Sequence, residues 1–166
     1  PALERIQQYT NSDDELIKST AIATVVRMTE DYSQIHRVVE LLQHSNVNVR
    51  RACIQDLIDV NYYQCIPQIA KSPVSIIFRV RGIRSLAEKA IGSGEIKFAE
   101  IESSLDSVIR DRPEDLELVH EYDQKPTLEF LIGELYNTDF GRCYLATQTI
   151  LNLYREEAPE AVLATY

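Results

Sequence analysis

Four stretches bring together residue types that do chemistry, and each has a structural reading beside the functional one. The densest is Phe78-Arg79-Val80-Arg81-Gly82-Ile83-Arg84. On a helix Arg81 and Arg84 are neighbours at i and i+3, while Arg79 shares the other face with Gly82, Ile83 and Leu86. Guanidinium forks grip carboxylates bidentately, and a glycine among them lets a ligand or a backbone come close. The structural alternative has Arg79 bonded to a neighbouring helix pair and Arg84 paired with Glu88. The second stretch, Asn61-Tyr62-Tyr63-Gln64-Cys65, is a connector whose rings either stack on a flat ligand or pack between helices. The third, Thr138-Asp139-Phe140-Gly141-Arg142-Cys143-Tyr144, sets an acid, an arginine, a glycine and aromatics in one run. Cys143 there is a nucleophile or a buried thiol, and no histidine lies beside it. The fourth, Leu116 to Pro126, is rich in acids and reads as a solvated loop or a contact for a basic partner. His36, His44 and His120 make neither H-E-x-x-H nor a cluster, and no Ser-His-Asp set or phosphate loop is visible. No metal and no true cofactor is expected.

The elements that must position these residues are helical. Leu16, Ile17, Thr20, Ala21, Thr24 and Met28 keep a 3.6-residue period, entered through Asn11-Ser12-Asp13-Asp14, a run of good N-cap residues. Ile35, Val38, Val39 and Leu42 form a second stripe, and a third runs from Val49 to Val60. Pro67 limits the next piece and Ser72-Pro73 marks a turn. Helices are then predicted from Phe78 to Ile91, from Ile96 to Ile109, from Pro126 through Leu135 and from Arg142 to Arg155. A short piece starts at Arg112-Pro113, and an Ala-rich tail follows Pro159. Strand alternation is absent. The fold class is all-α, one domain over 1–166, with a less regular segment at 93–126.

The helices pair, and the pairs repeat. Placing Arg50 on Arg79 sets Cys53 on Gly82, Ile54 on Ile83 and Leu57 on Leu86, a 29-residue period. A weaker copy aligns Lys18, Ala21, Ile22 and Val25. A helix, a tight turn and a second helix with one small residue cannot bury both faces alone and must stack on others. The turn followed by Val-Arg, Ala and Leu resembles the HEAT repeat, which implies an α-solenoid of helical hairpins. Its turn acid is replaced here by Asn46 or Ser72, and Asp139 before Arg142 preserves an acid–base combination in the last unit.

Composition narrows the function classes. The 166 residues carry 26 acids and 17 bases, a formal charge of −9, and 45% are of hydrophobic type, the profile of a folded protein. The charge is uneven: residues 1–33 carry net −3, 34–92 net +4 and 93–166 net −10. An acidic whole argues against nucleic acid or a membrane surface as the main partner, while the basic middle favours an anion or an acidic surface. Three scattered cysteines suit a reducing, cytoplasmic setting. No leader is read before the first stripe, and no run approaches the 18 apolar residues of a membrane span.

A resemblance takes the reading further. Asp115-Leu116-Glu117-Leu118-Val119-His120-Glu121-Tyr122-Asp123, then Leu128-Glu129-Phe130-Leu131-Ile132, then Thr138 to Ala146, resemble the F-type subunit of the heterodimeric E/F phycobilin lyases of cyanobacteria. That resemblance implies an enzyme subunit that, with an E-type partner, attaches phycocyanobilin to a cysteine of the phycocyanin α subunit through a thioether. The pigment is then the substrate and the phycocyanin α subunit the client. Isomerising relatives carry Asn-His-Cys-Gln-Gly-Asn where this chain has Phe78-Arg79-Val80-Arg81-Gly82-Ile83, which favours attachment without isomerisation. The pigment's two propionates call for Arg79, Arg81, Arg84 and Arg142 as anchors. Its flat face calls for Tyr62, Tyr63, Phe78 and Tyr144, and protonation of the pigment during thiol addition calls for an acid such as Asp139. The acceptor thiol belongs to the client. The competing class is a non-catalytic HEAT-repeat adaptor or chaperone-like binder of phycobiliproteins.

Overall fold

Short polar side chains ahead of apolar runs start the helices. Asp14 accepts from the backbone N–H groups of Leu16 and Ile17 at 2.9 and 3.3 Å, Asn46 from Asn48 at 2.9 Å, and Asp139 from Gly141 at 2.7 Å. Each satisfies donors that a first helical turn leaves open. The computed structural model describes residues 2–94, 96–116 and 125–165, and the regular elements among them are all helical. In order they are α1 (Ala2–Tyr9), α2 (Glu15–Thr29), α3 (Ile35–Glu40), α4 (Val47–Asp59), α5 (Ile66–Lys71), α6 (Ile76–Ser93), α7 (Phe98–Arg110), α8 (Leu128–Glu134), α9 (Phe140–Leu153) and α10 (Ala158–Leu163). Among the described residues no helix is long and apolar enough to cross a membrane.

Most of these match the predicted stripes, and two do not. Helix α1 buries no residue fully, so its sequence shows no full stripe. The Ala-rich tail around Pro159, given no element of its own in the sequence reading, forms α10, with Pro159 in the first turn, where a missing N–H costs nothing. Helix α8 starts one residue beyond Thr127, whose hydroxyl caps Phe130 at 3.2 Å, so Pro126 precedes the cap. Part of the acidic stretch Leu116 to Pro126, and of the motif Asp115 to Asp123, lies outside the described residues.

Consecutive helices pack as pairs, α1 with α2, α3 with α4, α5 with α6 and α8 with α9. The second members then lie side by side, α2 on α4 and α4 on α6, while α7 packs on both α5 and α6. One hydrophobic cluster runs through α2 to α7, with Ile22, Leu42, Leu57, Ile69 and Leu86 at its centre. A second, built on Leu131, Ala146, Ile150 and Ala158, holds α8, α9 and α10 together.

The 29-residue correspondence has a physical basis. Arg50 and Arg79 are both fully buried. Each donates to the carbonyl five residues back, Ser45 and Val74, both at 3.0 Å. Arg50 also reaches His44 O, and Arg79 reaches Ala70 O at 3.2 Å. These arginines therefore close the turns of their own hairpins. Where the turn acid is missing, Ser72 donates its hydroxyl to Leu42 O of the preceding pair at 2.8 Å. At Gly82 a Cβ would stand 2.9 Å from Ile54 Cγ2 and 3.2 Å from an Ile69 methyl, so a small residue is what lets α6 approach α4 and α5.

Candidate functional site

Arg79, expected as a ligand anchor, is instead the hub of a buried network. Its Nη2 donates to Asp111 Oδ1 and, at 2.6 Å, to the Tyr144 hydroxyl, which itself donates to Asp111 Oδ1 at 2.7 Å. Gln148 Nε2 completes the carboxylate at 2.9 Å from Oδ2. Asp111 sits at the C-cap of α7 with φ 46°, a left-handed turn that aims its side chain back at α6 and α9. Burial, and next the Asp111 carboxylate, pushes the Tyr144 phenol up in pKa. The network ties the larger helical cluster to the α8–α10 cluster. With every guanidinium nitrogen engaged and none of the side chain in water, Arg79 is closed to a propionate, and Tyr144 presents no free phenol. The sequence alternative of Arg79 bonded across to another pair is the arrangement found. Asp111 was missed, because nothing local marks a residue 32 positions away as the partner.

Arg81 and Arg84 do face solvent, along the row where α4 and α6 meet. Three contacts link the two helices in the same direction. Arg51 Cζ lies 5.1 Å from the Phe78 ring centre, Arg81 Nη2 lies 3.4 Å from Gln55 Oε1, and Lys89 Nζ lies 2.6 Å from Asn61 Oδ1. The helices therefore run parallel, and Arg51, Arg81 and Lys89 form a basic row along their seam. Arg84 stands beside it, paired with Glu88 at 2.8 Å. Ile76, Ile77, Val80, Arg81 and Arg84 border an open groove of about 580 Å³. Ile77 is 77% exposed, so this face offers apolar surface next to cations.

The third expected cluster divides. Asp139 caps α9 and pairs with Arg51 at 3.2 Å, whereas Arg142 pairs with Glu134 at 2.8 Å. The acid–base combination expected between Asp139 and Arg142 is thus split between two other partners. The Gly141 N–H above all holds the Asp139 carboxyl below its usual pKa; burial opposes it and Arg51 helps to offset that burial. A group held ionised is a poor proton donor, so the expected acid role does not fit this geometry. Cys143 is partly buried and donates to Asn137 O at 3.0 Å. Burial pushes the Cys53 and Cys65 thiols up to about 12, which keeps them unreactive.

Tyr62 and Tyr63 lie apart from the third cluster, at the C-terminal end of α4. Tyr62 stacks on Tyr32 with ring centres 6.0 Å apart, and Tyr32 donates to Val60 O at 2.8 Å. With Asn61 and Gln64 they line a separate depression of about 440 Å³. Lys89 bonded to Asn61 joins this depression to the seam. The structure therefore brings Phe78 and Arg81 to one face with Arg51, puts Arg84 beside them and Tyr62 and Tyr63 at its far end. It withdraws Arg79 and Tyr144 into the interior. Arg51 is the residue that sequence reading passed over. Its signal was the Arg50-Arg51 pair, since neighbours on a helix point about 100° apart and only one of them can close the turn.

No family model and no solved structure matches the chain. It is 50% identical over all 166 residues to the "Uncharacterized phycocyanin operon protein Y" of Pseudanabaena tenuis (strain PCC 7409), covering 40% of that protein. It is 34% identical over 145 residues, 87% of the chain and 34% of the relative, to the "Bilin biosynthesis protein CpeY" of Synechococcus sp. (strain WH8020). To the "Bilin biosynthesis protein RpcE" of the same strain it is 27% identical over 85 residues, 51% of the chain and 32% of that protein. The chain thus spans two fifths or less of the curated relatives it matches. In sequence it is a relative of cyanobacterial proteins named for the phycocyanin operon and for bilin biosynthesis.

Proposed function

We propose that this chain is a pigment-holding part of a bilin lyase that attaches an open-chain tetrapyrrole to a cysteine of a phycobiliprotein. The observation that carries this reading is the row of cations where α4 meets α6, with the exposed apolar face of α6 beside it, found in a chain 34% identical over 145 residues to a bilin biosynthesis protein. Guanidinium groups suit the two propionates, while Phe78 and Ile77 offer surface to a flat conjugated face. In the reaction the client's thiol adds across the exocyclic C=C bond. One S–C bond forms, the thiol proton ends on the pigment, and no oxidant is required. The buried thiols and the ionised Asp139 give this chain a holding role, with proton transfer supplied elsewhere in the complex.

The finer reading is phycocyanobilin as pigment, the phycocyanin α subunit as client and attachment without isomerisation. The helical pairs are read as a short HEAT-like solenoid whose second helices line the pigment face. The heterodimer with a second lyase subunit is carried by the resemblance to the two-subunit lyases. The motif resemblance is to F-type subunits, whereas one matched relative is named RpcE, so both subunit types are tested as partners. The experiment is co-expression with an E-type or an F-type subunit, pigment and phycocyanin α subunit, followed by denaturing electrophoresis and zinc fluorescence. A covalent adduct that requires this chain is expected. Its absence with both partners, despite a stable complex with the client, supports the non-catalytic adaptor instead.

A further inference from the structure

We infer that Arg51 and Arg81 clamp two carboxylates of one small ligand, set about one helical turn apart along the α4–α6 seam. The inference rests on the pigment reading above and adds a residue and a geometry to it. Hydrogen bonding separates the arginines of this region. Arg79 is saturated inside the protein, and Arg84 and Arg142 each hold a carboxylate at 2.8 Å. Among the described residues the hydrogen bonds of Arg51 and Arg81 are long. Arg51 Nη1 lies 3.4 Å from Asn48 Oδ1 and Nη2 lies 3.2 Å from Asp139 Oδ1, while Arg81 Nη2 lies 3.4 Å from Gln55 Oε1. Arg51 Nε is shut off from water, so a ligand reaches Arg51 through the 22% of its side chain that is exposed. A charged donor set this poorly used gains from an incoming acceptor.

The Arg51 head is also held in place. The Phe78 ring covers one side, and Gly141 leaves room on another, where a Cβ would fall 1.8 Å from Nη2. Asp139 is bound more closely to the Gly141 N–H, at 2.7 Å, than to Arg51, so its tie to the α9 N-terminus survives when a second carboxylate joins Arg51. Gln55 follows Arg51 by four residues on α4, and Arg81 follows Phe78 by three on α6. The two guanidinium groups are therefore offset by about 4.5–6 Å along the parallel helices. Carboxylates borne by neighbouring rings of an open-chain tetrapyrrole match such an offset, which a single acetate-like ion does not bridge.

The test is an absorbance titration of the full chain with biliverdin and, separately, with biliverdin dimethyl ester, whose carboxylates are masked. The clamp is expected to bind the free acid about tenfold or more tightly than the ester. Arg51→Ala and Arg81→Ala should each remove most of that preference and leave ester affinity in place, with Arg155→Ala, exposed just beyond the end of α9 and away from the seam, as the control that keeps it. Equal affinity for acid and ester in the unmodified chain overturns the clamp and leaves the pigment reading standing. No binding of either compound overturns both.

Discussion

Two carboxylates largely withdrawn from water, Asp111 and Asp56, behave in opposite ways. Asp111 faces Arg79, Tyr144 and Gln148, whereas Asp56 of α4 faces α2 and accepts from two hydroxyls, Ser19 Oγ at 2.6 Å and Thr20 Oγ1 at 3.4 Å. Removing Arg79 leaves the Asp111 charge buried without its cation, so Arg79→Ala should cost about 3–5 kcal/mol in urea unfolding. Asp56 behaves the other way, because burial is the main cause that raises its pKa. The native state then binds a proton more tightly than the unfolded chain. Stability falls as pH rises from the ordinary carboxylate pKa, about 3.9, through the raised value, where the buried charge must form. Asp56→Asn keeps an acceptor for Ser19 without that charge. Its melting temperature should exceed that of the unmodified chain at neutral pH, with the difference vanishing at low pH, as thermal scans across pH would show.

Among the elements, α6 carries most of the design. Its buried side sets Gly82, Ile83 and Leu86 against α4 and α5, and its open side sets Ile77, Arg81 and Arg84 toward solvent. Gly82→Val should cost about 1–3 kcal/mol through overpacking against Ile54 and Ile69, measured by denaturant unfolding. Asp14→Ala should cost about 0.5–2 kcal/mol by uncapping α2, with less effect on α6. Periodicity revealed α2, α4, α6, α7 and α9 because each has a buried stripe to mark it. It could not reveal α1, whose residues are at most half-buried, nor α10, where Pro159 reads as a breaker until its first-turn position is known. The repeat was legible at Arg50 and Arg79 because spacing alone exposes it. Their shared role of closing the turn was not, since backbone carbonyls have no sequence signature.

At the scale of the molecule, the uneven charge acquires a location. Of the bases in the basic middle, Arg50 and Arg79 are spent on the interior, and Arg51, Arg81, Arg84 and Lys89 lie at or beside one seam. Long-range pairings such as Arg79 with Asp111 and Arg51 with Asp139 lie 32 and 88 residues apart. They were beyond reach of motif reading, and so the candidate site was legible in its residue types more than in its membership. The same two pairings join the α8–α10 cluster to the rest, so loosening them should disturb the seam as well as stability. The most direct measurement is pigment adduct yield in the co-expression system, comparing the unmodified chain with the Arg51→Ala/Arg81→Ala double variant at matched expression and helix content. A loss of about tenfold or more in zinc-fluorescent adduct is expected. Full adduct formation by the folded double variant would contradict the assignment of the α4–α6 seam as the pigment-holding face.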